Sequence, residues 1–190
     1  GLLPVPLTPA TARHLEAAGC APAGPVIPHG VDEERFSPRP GGSRQRKRGR
    51  FTVGTVAANN PRKKLDRIVD AFALFRRECP GASLVVKTDR AVSPAGFDLR
   101  EHVHRAGVSA YTRIVTGDLD AAGMCDLYRD MDLYLNLSEW EGFCIPVIEA
   151  MACGVPVACQ PIQGPGELVP YRDLLVDGGR RIDDAGPLLV

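Results

Sequence analysis

This sequence carries no net charge, since 23 Lys and Arg balance 23 Asp and Glu. No overall field therefore draws it to nucleic acid or anionic lipid, and such a partner would need a local patch. No run approaches the ~18 apolar residues of a membrane-spanning helix. The opening GLLPVPLTPATARHL lacks the basic start, apolar core and cleavage site of a secretory signal. The six cysteines (Cys20, Cys79, Cys125, Cys144, Cys153 and Cys159) form no Cys-x-x-Cys pair and have no His at zinc spacing. They read as buried thiols of a reducing compartment. Also missing are Walker and dinucleotide Gly-rich fingerprints, a Gly-x-Ser-x-Gly elbow around Ser138, and any internal repeat. The expectation is a cytoplasmic protein. The chain begins with Gly rather than Met, and is expected to be a piece of a longer one.

What is present suits one globular domain: 190 residues, 44% hydrophobic and 24% charged. Short apolar strands alternate with amphipathic helices. Strands are expected at Phe51 to Val56, Leu84 to Val86, Arg113 to Thr116, Leu133 to Leu137 and Val155 to Ala158. Between them fall a helix with Leu65, Ile68, Val69, Phe72 and Phe75 on one face, another over 99–106, and a third whose inner face is Met124, Leu127, Tyr128 and Met131. This alternation predicts an α/β fold with a doubly wound parallel sheet and right-handed crossovers. Ligands of such sheets bind beyond the carboxyl ends of the strands, so the loops after Val56, Thr116, Leu137 and Ala158 should line the site. Outside the pattern stand PRPGGSRQRKRGR (38–50), with Arg44, Arg46, Lys47, Arg48 and Arg50, and a strand-like Leu174 to Val176. The basic run reads as a solvated loop before a strand; a contact for anionic phospholipid or nucleic acid is its functional alternative.

The chemistry concentrates in SEWEGFCIPVIEAMACGVPVA (138–158), where Glu141 and Glu149 are separated by seven residues across a loop-to-helix junction. Pro146 suits the first position of a helix and Gly154 the position just past its end, giving a helix of roughly two turns. Its free N–H groups point back at Gly142-Phe143-Cys144 and, with its dipole, make a seat for phosphate oxygens. Glu near a helix start also fits a plain dipole effect. Asn59-Asn60-Pro61-Arg62-Lys63-Lys64 follows a strand and precedes a helix, where a cluster of cations opposes the dipole, so Arg62 and Lys63 read as phosphate ligands. Lys87-Thr88-Asp89 ends the next strand. His29 reads as a turn or surface histidine, Gly30 as a point of close backbone approach. His102 and His104 fall on a surface helix.

The 138–158 stretch as a whole resembles the signature of retaining glycosyltransferases of family 4, the GT-B group that uses nucleotide-diphosphate sugars. Val26 to Asp32 is similar to the strand and turn that opens the donor domain there, and the likeness runs to about Val176. Cys144 stands where that family usually has Gly, and Ala58 where it often has Arg, with Arg62 or Asn59 as substitutes. The resemblance implies a lead-in segment over 1–25, a donor-binding domain over 26–190, and an absent N-terminal acceptor half. It implies transfer of a hexosyl group from a UDP- or GDP-sugar to an acceptor hydroxyl, with retention and without a bound metal or other cofactor. Glu141 would serve the sugar and the transition-state charge, the backbone of Phe143 to Ile145 the diphosphate, Glu149 the ribose, and Arg62 with Lys63 the leaving phosphates. Gly30, Asn59, Gly117, Gly142 and Glu167 would complete the pocket, with Thr116 to Leu119 around the base. Implied partners are the nucleotide-sugar donor, a glycan, lipid-linked or small-molecule acceptor, and the missing half, with no nucleic acid. A lipid-linked acceptor would add peripheral contact with the cytoplasmic membrane face. The rival reading is a non-catalytic nucleotide-binding or interaction module of the same fold.

Overall fold

In the computed structural model, residues 4–20, 24–41, 50–162 and 164–170 are described. Arg44, Arg46, Lys47 and Arg48 of the basic run, and the strand expected at Leu174 to Val176, lie outside them. Five strands, β1 (Phe51–Val56), β2 (Ala82–Lys87), β3 (Thr112–Val115), β4 (Leu133–Asn136) and β5 (Val157–Cys159), form one sheet in the order β3-β2-β1-β4-β5. Every neighbouring pair is parallel. The helices are α1 (Pro9–Ala17), α2 (Leu65–Glu78), α3 (Leu99–Arg105), α4 (Ala121–Arg129), α5 (Ile145–Ala152) and α6 (Pro165–Leu168). The doubly wound architecture is as the alternation implies.

Period-two alternation splits the core into two layers. Leu84 and Val86 of β2, with Val53 of β1, meet Leu65, Ile68, Val69 and Phe72 of α2 and Leu99 and Val103 of α3. Val85 faces the opposite way, into a layer with Leu127 and Tyr128 of α4, Tyr134 of β4, and Val147 and Ala150 of α5. Strands buried on both faces need apolar residues at successive positions, which is why β2 reads Leu-Val-Val. Each fully buried large side chain contributes about 1.5–3 kcal/mol. Gly54 is required where β1 passes under Met131, because a Cβ there would lie 2.2 Å from the Met131 sulfur.

Several local expectations are corrected. Residues 26–31 form no strand; one backbone hydrogen bond, from Ile27 N–H to the Pro6 carbonyl (2.9 Å), fixes this stretch. Residues 9–17, without an expected element, form α1, because the Thr8 side chain caps the Thr11 N–H and Pro9 starts the first turn. Pro146 is the second rather than the first residue of α5, whose cap is Cys144. Met131 lies beyond α4, and Phe75 is turned outward, tilted against Phe51 at 5.6 Å between ring centres. Strand β5 begins two residues later than expected, at Val157.

Candidate functional site

The order β3-β2-β1-β4-β5 reverses direction between β1 and β4, the switch point at which open α/β sheets leave a crevice. The loops leaving these two strands meet across it. From the β1 loop, Arg62 donates through Nη1 to the Glu141 carboxylate (2.8 Å) and to the Trp140 carbonyl (2.9 Å). Lys63 Nζ pairs with the other Glu141 oxygen. The Arg62 guanidinium stacks on the Trp140 ring, 4.6 Å from its centre, and Lys64 pairs with Glu139 at 2.7 Å. Glu141 itself is only 6% exposed. Burial raises its pKa, but the hydrogen bond and charge of Lys63, followed by hydrogen bonds from Arg62 and the Ser138 hydroxyl, outweigh burial and hold the carboxyl below its usual range. A buried carboxylate with two cations is thus ionised at neutral pH.

The other loops at this edge are tied in series. Lys87, buried at the end of β2, donates to the carbonyls of Thr88 (3.2 Å) and Gly117 (2.7 Å), joining the loops after β2 and β3. Asp89 accepts the Asn59 N–H (2.8 Å), joining the loops after β2 and β1. That backbone hydrogen bond, aided by Arg90 and Thr88 against burial, lowers the Asp89 pKa to about 2. The Asn59 side-chain amide donates to the Ala91 carbonyl (2.7 Å) and is committed to the fold, whereas Arg62 reaches Glu141. Between the two residues weighed as the second cation-side ligand, the geometry favours Arg62.

Beyond Glu141, the loop turns through Cys144 in a left-handed conformation (φ 78°), the region that favours glycine. The Cys144 thiol is buried and takes a hydrogen bond from the Asn136 amide at 3.1 Å. Burial pushes the thiol pKa up to about 12, so it is a neutral packing group. Among the described residues, the N–H groups of Phe143, Cys144 and Ile145 have no protein acceptor. Four residues on from Ile145, Glu149 is half-buried and held by the Tyr128 hydroxyl at 2.6 Å. Burial drives the Tyr128 pKa far above its ordinary value, so this hydroxyl stays a donor.

The remaining expected residues assemble around this loop rather than on Glu141. His29 packs edge-on against Phe143 (5.1 Å), whereas nothing lies within 4 Å of where a Cβ on Gly30 would stand, so the close approach expected there is not seen. Gly164 (φ 78°) is pressed on it, since a Cβ there would lie 2.8 Å from the Phe143 carbonyl oxygen. Glu167 turns to α1, pairing with Arg13 (2.9 Å) and accepting the Ala10 N–H (3.1 Å), while the Thr11 hydroxyl lies 3.5 Å from the Gly142 carbonyl. Trp140, Tyr128, Ser138 and α1 are site contributors that sequence reasoning missed. The Trp preceding Glu141 and the Thr8-Pro9 cap are the signals that could have flagged two of them.

A parallel sheet with an ionised carboxylate and a cation pair at its switch point is a Rossmann-like domain. The chain belongs to the glycosyl transferases group 1 family, whose family model matches residues 50–184. It is 32% identical over 186 residues, 90% of its length, to a GDP-mannose-dependent α-(1-6)-phosphatidylinositol monomannoside mannosyltransferase of Mycobacterium tuberculosis, covering 47% of that protein. Its fold matches sucrose-phosphate synthase of Thermosynechococcus elongatus (TM-score 0.73, 22% identity, 93% of this chain and 45% of that one). It also matches Anabaena HepE solved with UDP and glucose (TM-score 0.69, 21% identity, 89% and 47%). The fold is thus that of GT-B glycosyltransferases. The chain spans about half the length of the curated relatives it matches, 42% and 47% for two of them. No described helix is long and apolar enough to cross a membrane.

Proposed function

We propose that this chain is the donor-binding half of a retaining family 4 glycosyltransferase, which moves a hexosyl group from a UDP- or GDP-sugar to an acceptor hydroxyl. The observation that carries this reading is the meeting of Glu141 with Arg62 and Lys63 at the switch point, in a loop where the N–H groups of Phe143 to Ile145 have no acceptor among the described residues. In the reading, the diphosphate accepts hydrogen bonds from that backbone and from the positive end of α5. Glu149 accepts the ribose hydroxyls, and Glu141 the hydroxyls of the transferred sugar. As the glycosidic bond breaks, negative charge grows on the leaving phosphate, and Arg62 and Lys63 stabilise it in place of a metal ion. Glu141, close to the same centre, stabilises the positive charge developing on the sugar.

Both bases stay within the reading, because the mycobacterial relative is named for GDP-mannose and HepE was solved with UDP. Residues 26–190 are the donor domain and 1–25 the lead-in from the acceptor half. A lipid-linked acceptor would place the enzyme at the cytoplasmic membrane face. The test is calorimetric titration of the chain with UDP and GDP. Selective binding is expected, weakened by about 1–3 kcal/mol in Glu149→Ala, where paired hydroxyls lose their acceptor. Binding of neither nucleotide, or binding indifferent to Glu149, would overturn the proposal.

A further inference from the structure

The cations assigned to the leaving phosphate are not waiting free. Arg62 and Lys63 occupy both oxygens of Glu141, and the Ser138 hydroxyl adds a hydrogen bond to the same carboxylate. Side-chain exposure is 8% for Glu141, 14% for Lys63 and 30% for Arg62, so water screens these pairs less than surface ones. Only a few residues along the chain, the N–H groups of Phe143, Cys144 and Ile145 have no acceptor among the described residues. A diphosphate seated there brings negative charge beside the Glu141 carboxylate. Two like charges brought together around a buried carboxylate repel, unless cations stand between them.

We propose that Glu141 has a second role as internal counter-ion, holding Arg62 and Lys63 until the donor diphosphate draws them away and leaves the carboxylate facing the transferred sugar. The inference rests on the donor-site reading above. Before binding, the carboxylate neutralises two partly buried cations, beside the hydrogen bond of Arg62 to the Trp140 carbonyl. On binding, the diphosphate competes for the same N–H donors, and Glu141 exchanges charged partners for sugar hydroxyls. The crevice is therefore not in its transfer-ready arrangement without donor, and part of the donor's binding free energy is spent on the exchange. Trp140 takes part as a positioning residue: its ring and carbonyl hold Arg62 over the crevice during the handover.

The consequence runs against the ordinary expectation for a site residue. Removing the Glu141 charge should tighten a nucleoside diphosphate that has no sugar to offer. Titrating GDP and UDP into Glu141→Gln should give roughly five-fold higher affinity than wild type for the base that the wild-type chain prefers, the size of a modest ion-pair competition. The corresponding monophosphate, GMP or UMP, should bind with unchanged affinity, since it lacks the second phosphate. Glu141→Asp, which keeps the charge but draws it back by one methylene, should give a smaller gain in the same direction and keeps the test decisive if Glu141→Gln does not fold. Equal or weaker diphosphate affinity in a cooperatively melting Glu141 variant overturns the inference, as does an equal gain for the monophosphate. A wild-type chain that binds neither GDP nor UDP overturns the donor-site reading itself, and this inference with it. Wild-type binding without a gain in either variant overturns this inference alone.

Discussion

Removing one hydroxyl, in Tyr128→Phe, tests how Glu149, the proposed ribose acceptor, is held. The Tyr128 oxygen lies 2.6 Å from Glu149 Oε2, in a ring packed 6.2 Å from Phe36 and 6.1 Å from Tyr134. Phe conserves the packing, so the loss is confined to a hydrogen bond to a carboxylate, worth about 1.5–3 kcal/mol of stability. For a domain of this size that is a fall in Tm of roughly 3–12 °C. Glu149 also regains rotamer freedom, and re-fixing it on binding costs up to ~1.5 kcal/mol, or about ten-fold in nucleotide affinity. Calorimetry with GDP or UDP should show that loss. The 2′,3′-dideoxy nucleotide, with no ribose hydroxyls for Glu149, should bind the variant and wild type alike. Wild-type affinity in Tyr128→Phe, or an equal loss with the dideoxy nucleotide, would refute the reasoning.

Two further outcomes follow from the same geometry. Gly164→Ala forces a Cβ to within 2.8 Å of the Phe143 carbonyl oxygen at φ 78°, so thermal melting should report a loss of about 2–3 kcal/mol, with weakened nucleotide binding as the 142–145 loop shifts. Wild-type melting would show that this loop tolerates displacement. Asp89, with its pKa lowered to about 2, stabilises the fold above its unfolded value near pH 4, and this stability is lost as pH falls towards 2; Glu141, also lowered, acts in the same direction. Asp89→Asn should flatten that acid limb in denaturant titrations at stepped pH, and an unchanged slope would remove Asp89 from the account.

The order of strands and helices was legible because buried parallel strands and amphipathic helices announce themselves by period. Leu84-Val85-Val86 and the Leu65, Ile68, Val69, Phe72 face packed where the pattern put them. Glu141, Arg62 and Lys63 were legible as one site because their loops follow β4 and β1, which the fold sets side by side at the switch point. Less legible were features set by long-range contact. Nothing near Asn59 says that its amide is drawn to Ala91 while Arg62 reaches Glu141. Tyr128 looked like a core position and is one, yet its hydroxyl holds Glu149 from another helix. Glu167 was placed by resemblance near the donor, but α1 supplies its partners. The displaced start of α5 has a local cause, the left-handed Cys144 cap, which the rule placing Pro first in a helix does not foresee.

The most direct test of the central claim is a crystal structure of this chain with GDP or UDP, whichever binds more tightly. The account predicts the diphosphate on the N–H groups of Phe143 to Ile145, with Arg62 and Lys63 turned to it from Glu141 and the ribose hydroxyls on Glu149. A nucleotide seated away from the β1 and β4 loops, or one that leaves the Glu141 pairs untouched with its phosphates elsewhere, would contradict it.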